Sequence, residues 1–267
     1  MASFTHFLLT VFNVRLRHGG EVTPDHEWLE HRFRLFEMFC YPSVKAQSVK
    51  DFTWLVFFDS STPREFRERI QGLPAMRQFV PCFVSEVMSI ESFAGMKDSL
   101  FAPHLRPGTT HLITSNLDND DALHSHYVEN VQKEFSAQDF EFLNFTRGFL
   151  FDREKERLFV RKHLSNPFVS LVERFENART EWCAPHTEIS KLGPVRQVNA
   201  EPMWLQVIHG RNVSNTIADA YRVPLVRLDE GFEAVRGIAR RHESRLTIAL
   251  ANISLGLRAV AAHVAGR

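Results

Sequence analysis

Three cysteines in 267 residues, Cys40, Cys82 and Cys183, stand far apart, and no CxxC pair occurs. That excludes a zinc knuckle and a disulfide framework, and it points to a reducing compartment. A surplus of positive charge is also missing, since 32 Lys and Arg offset 32 Asp and Glu. General nucleic-acid binders carry a basic surplus, so no nucleic-acid partner is expected. The apolar run Phe7 to Phe12 is too short to span a bilayer, has no basic segment before it, and reads as a strand. A cytoplasmic location follows as the expectation. Internal repeats and low-complexity tracts are absent as well.

What is present suits a sizeable folded core. Hydrophobic residues at 44% and charged residues at 24% match globular chains, which argues against disorder and against a fibre. The 24 phenylalanines belong mostly to the core, because rings bury large apolar areas. Phe7 to Val14 reads as a buried first strand ending near Asn13. After a polar stretch, Trp28 to Ala46 sets Leu29, Phe33, Phe36 and Cys40 at helical spacing, with Pro42 as a kink or break. Phe52 to Phe58 predicts a second buried strand, closed by Asp59 and a Ser-Ser-Thr-Pro turn. Helix-prone REFRERI and a strand over Pro81 to Val87 follow, and His111 to Leu117 is a fourth strand. Helix is expected over His124 to Phe135. A meander is expected over Glu141 to Asn144, Gly148 to Asp152 and Leu158 to Arg161. Asn166-Pro167 is read as opening an amphipathic helix with Phe168, Leu171 and Val172, and Trp204 to Ile208 as a further strand.

Strands alternating with helices predict an α/β fold, a mostly parallel sheet with helices on both faces. Ligands of such sheets sit beyond the carboxyl ends of the strands. Asn13, Asp59 and the stretch beginning at Asp118 all fall at ends of that kind.

Asp118-Asn119-Asp120-Asp121 carries the most chemical information. Three carboxylates in four residues repel one another unless a cation or solvent relieves them. At a strand end they make a hard oxygen site suited to Mg²⁺ or Mn²⁺, able to stabilise a departing diphosphate. The plainer reading is a solvated turn that caps the next helix. A calcium loop fits less well, because the EF-hand glycine is lacking.

In family order, the pieces FLLTVFN, FCYPSVKAQSVKDFTWLVFFDSSTP, SNLDNDDAL and WLQVIHGRNVSN resemble the GT-A glycosyltransferases. To about Val223 the chain resembles a bacterial family of rhamnosyltransferases. The resemblance implies a Rossmann-type mixed sheet of the GT-A kind. It implies that Asp59 contacts the nucleotide base, with Thr10 and Asn13 lining the same pocket. Asp118 would approach the ribose or the metal, Asp120 would ligate the metal, Asp121 would face the acceptor sugar, and His209 would be a distal ligand of metal or diphosphate. Simpler roles stand beside these. Asp59 can cap the turn at Ser60-Ser61, and His209 can be an ordinary core or loop histidine. Gly210 beside it permits close backbone approach. Arg32, Arg34 or Arg211 can take phosphate bidentately, or form surface salt bridges. The usual Asp-Asp-Gly ending of the second strand is here Phe58-Asp59-Ser60. Glu173, Glu188 and Glu201 are candidates for the catalytic base by location alone.

The expected function is therefore metal-dependent, inverting transfer of a sugar, rhamnose by the resemblance, from a nucleotide-diphosphate donor to a glycan or lipid-linked acceptor. The cofactor would be Mn²⁺ or Mg²⁺. A sugar nucleotidyltransferase is the alternative, with Arg15 to Gly20 as a faint phosphate loop, and a non-catalytic sugar-binding protein is the third reading. The domain is expected over residues 1–230, with a basic amphipathic extension over 231–267 that holds six arginines against two glutamates. That extension either packs on the domain or a dimer partner, or gives peripheral contact with the inner face of the plasma membrane.

Overall fold

The computed structural model describes residues 2–14, 24–85, 97–210, 217, 219–235 and 244–253. Its centre is a seven-stranded sheet. β1 (Phe4–Val11) lies between β2 (Thr53–Asp59) and β4 (His111–Asn116), and β3 (Phe79–Val84) forms one edge. β9 (Ser170–Arg174), β6 (Phe140–Phe145) and β10 (Val195–Val198) complete the order β10-β6-β9-β4-β1-β2-β3. β3, β2, β1 and β4 run parallel, and β9 alone runs opposite to both its neighbours. Strands buried on both faces read as continuous apolar runs, as TWLVFFD does. Along β1, Leu8 faces one core cluster while Phe7 and Leu9 face the other.

One face of the sheet is covered by α1 (His26–Leu35), a π-helical turn (Phe36–Cys40), α2 (Tyr41–Lys45), α3 (Arg64–Gln71) and the helix Tyr127–Lys133. Asp25 caps α1 by accepting the Trp28 N–H at 2.8 Å. The predicted helix over 28–46 does not break at Pro42. The π turn just before it lets Tyr41 N–H reach Phe36 O, which resets the ladder where the proline lacks a donor. The other face is covered, among the described residues, by short helical turns that bring Leu100, Phe101, Phe175 and Trp182 onto Phe7, Leu55 and Phe57.

A second sheet has the order β12-β8-β7-β11-β5, formed by β12 (Ala220–Val223), β8 (Arg157–Lys162), β7 (Arg147–Asp152), β11 (Trp204–Ile208) and β5 (Ala122–Leu123). Two expectations change here. The meander divides, since β6 joins the first sheet while β7 and β8 form a hairpin in the second. Residues 170–174 are strand rather than helix. Asn166 instead builds a turn, accepting the Phe168 N–H and donating to Phe145 O. The first strand also ends earlier than read, at Val11, and the third at Val84.

The packed core continues past residue 230, where Phe232 and Val235 join Leu35, Phe149 and Leu205. Residues 245–253 are helical and dock on β12, with the Asn252 amide accepting from and donating to the Arg222 backbone. Leu246, Leu250 and Ile253 of that helix are exposed. No helix among the described residues is long and apolar enough to cross a membrane.

Candidate active site

β4, β1 and β2 are parallel neighbours, so their carboxyl ends open on one rim. Asn13 ties two of these ends together. Its Nδ2 donates to Thr62 Oγ1 at 3.0 Å, and its Oδ1 accepts the Asp59 N–H at 3.0 Å. Asp59 Oδ1 accepts from the Ser61 N–H at 2.7 Å and the Ser61 hydroxyl at 2.5 Å, the turn-capping role of an aspartate before serine. Thr10 lies elsewhere. It is wholly buried below the rim, where its hydroxyl accepts from the Trp54 indole at 2.9 Å and holds the core.

The acidic turn is fastened to the end of β1 by Asn119, whose amide donates to Val11 O at 3.0 Å and Phe12 O at 2.9 Å. Asp120 then projects toward α1 and the end of β11. Its Oδ2 accepts from Arg32 Nη1 at 2.6 Å and from His209 Nε2 at 2.8 Å. Burial alone would raise the Asp120 carboxyl; the His209 hydrogen bond and the Arg32 charge outweigh it and hold the group below its usual range. His209 Nδ1 meets His31 Nε2 at 3.2 Å. Gly210 has φ +66°, and a Cβ there would come 2.6 Å from Glu154 Oε1, so the close approach at this glycine is to a side chain.

The neighbouring carboxylates are placed differently. Asp121 turns inward, buried, and its Oδ1 accepts the Val207 N–H at 2.8 Å, so it braces β11. Burial, then the charges of Asp120 and Asp118, drive its carboxyl well above the ordinary range. Asp118 is exposed at the rim. The protein crowded around it, followed by the Asp120 charge, raises its carboxyl too, against the opposing pull of Asn116 and Arg32.

Of the two roles the sequence offers Arg32, phosphate ligand or surface salt bridge, its side chain, only 14% exposed, does not suit a surface pair. Arg34 does form a surface pair, with Glu30 at 2.9 Å, and Arg211 lies outside the described residues. Asn119 and His31 carried no signal in the sequence, because their partners are remote in the chain. The three base candidates are not at this rim's contacts. Glu173 accepts the Arg179 and Thr180 N–H groups, while Glu188 and Glu201 are exposed and pair with Lys191 and Arg227.

Among the described residues no three His, Cys, Asp or Glu side chains converge as a ready ligand set. A hard divalent ion needs none when one or two carboxylates and a bound diphosphate supply its oxygens. Asp118, exposed, and Asp120, largely buried, lie on one turn and are carboxylates of the kind such a donor set uses.

Solved structures match this chain at low identity and low TM-score. The inositol-1-phosphate CTP transferase from T. maritima is 10% identical over 91% of this chain and 100% of its own, with a TM-score of 0.38. TarS 1-349 from S. aureus is 8% identical over 76% of this chain and 60% of its own, with a TM-score of 0.40. No curated protein matches. The family described as "Putative rhamnosyl transferase" matches residues 21–221, from before α1 into β12, which takes in Arg32, Asp59, the acidic turn and His209 but not β1 or Asn13, and the chain belongs to that family.

Proposed function

We propose that this chain is a transferase that uses a nucleotide-sugar donor, moving a sugar, rhamnose by family, to a glycan or lipid-linked acceptor with inversion. The observation that carries the reading is the convergence of Asp120, Arg32 and His209 beside the ends of three parallel strands, where such folds bind nucleotides. Asn13 and Asp59, joined to each other, form the floor on which a base would rest. Asp118 and Asp120 would hold Mn²⁺ or Mg²⁺, with His209 orienting Asp120. When bound, the ion supplies charge neutralisation at the leaving diphosphate. Arg32 and Asn119 hold Asp120 in place at the strand ends, and Asp121 fixes β11 so that His209 stays in register.

The test is a release assay over a panel of nucleotide-diphosphate sugars with Mn²⁺, comparing wild type with Asp120→Asn. Release of nucleoside diphosphate, reduced at least about 100-fold in the variant, is the expected result. Release of pyrophosphate from nucleoside triphosphate and sugar phosphate would establish nucleotidyl transfer instead. Equal turnover by the variant would remove Asp120 from the chemistry.

A further inference from the structure

Arginine side chains rarely lie buried without a reason in their pairing. Arg32 sits one residue before the fully buried Phe33, on the face of α1 that looks at the acidic turn, with its guanidinium 5.2 Å from the Trp28 ring centre. Removing such a group from water is compensated by its ion pair with Asp120 and its 3.2 Å hydrogen bond to Asn119 Oδ1. Both contacts use the same nitrogen, Nη1. A pair built only for stability commonly presents two parallel N–H groups to the carboxylate. Here Asp120 Oδ2 is shared with His209, and the fork is not used. Among the described residues no acceptor meets Arg32 Nε or Nη2, and neither atom is sealed from solvent. The guanidinium is thus held by one corner while its two-donor edge stays available beside the strand ends.

We infer that Arg32 is the residue that receives the donor's diphosphate, taking two phosphate oxygens on its Nε–Nη2 edge while Asp120 and Asn119 fix its aim. This rests on the nucleotide-sugar reading and adds to it a phosphate contact that needs no divalent ion. Lysine at this position would keep the charge against Asp120 but lose the planar edge.

Calorimetric titration of the full chain with UDP, GDP and dTDP, in EDTA and again with Mn²⁺, tests the assignment. Wild type is expected to bind one of these diphosphates in EDTA at least tenfold more tightly than Arg32→Lys, with the variant melting within a few degrees of wild type. Should the variant fold poorly, the Arg32 Nε–H signal of wild type, followed by NMR, decides. It should move on adding the diphosphate and stay put on adding the matching nucleoside. Equal diphosphate affinity in wild type and variant, or an unmoved Nε–H signal at saturating diphosphate, would overturn the role of Arg32 alone. Failure of wild type to bind any of the three, with or without Mn²⁺, would overturn the nucleotide-sugar reading and this inference with it.

Discussion

Glu181 shows what a single buried carboxyl can do to this protein. It is 2% exposed, neither of its oxygens has a hydrogen-bond partner among the described residues, and burial pushes its pKa up to about 8, with the Glu173 charge adding and the nearby Thr114 hydroxyl opposing. In the unfolded chain the same group titrates near 4.5. Between those values the folded protein keeps a proton that the unfolded chain has released, so stability is full below about pH 4.5 and falls as the pH rises toward 8. Glu181→Gln, which stays neutral, should flatten that slope and raise the melting temperature at pH 8 by about 2 °C or more. Melting curves from pH 5 to 8 check this, and a slope unchanged in the variant would show that Glu181 is not the proton carried. At this scale the sequence was an uneven guide. Asp118 and Asp120 were legible because carboxylates crowd at a strand end. Arg32 was legible only as one of three arginines, because nothing in the sequence shows that its partners are Asp120 and Asn119.

Elements differ in legibility for a related reason. The strand Trp204–Ile208 and the runs in β1, β2 and β4 stood out because apolar stretches end at turn residues. Residues 168–172 did not, since Phe168, Leu171 and Val172 satisfy a helical spacing as well as a strand's alternation. The neighbours decide: β4 and β6 each offer an edge, and β9 fills the gap with Leu171 and Val172 in separate core clusters. Across the second sheet, Gly148 is paired with Trp204, whose indole crosses the glycine backbone, stacks on Phe168 and donates to Phe145 O at 2.8 Å. A Cβ at 148 would lie 1.9 Å from that ring. Gly148→Ala should therefore destabilise the fold by about 1–3 kcal/mol through overpacking. Urea denaturation measures this, and an unchanged midpoint would mean the tryptophan moves aside without cost.

The molecule as a whole draws its site from residues 31–32, 119–120 and 209, which belong to a helix, a strand-end turn and the residue just after β11. Alternating strands and helices made the parallel sheet readable. The meeting of His209 with Asp120 came from resemblance alone, because it depends on how the second sheet is set against α1 through Leu35, Phe39 and Leu205. A thermal-shift panel of nucleotide-diphosphate sugars, each with and without Mn²⁺, bears most directly on the central claim. One donor should stabilise the fold through mass-action linkage, by about 2.7 kcal/mol at a hundredfold excess over its dissociation constant, and so raise the melting temperature, and the Asp120→Asn protein should lose that shift. A panel in which no nucleotide sugar stabilises the wild-type chain would contradict the account.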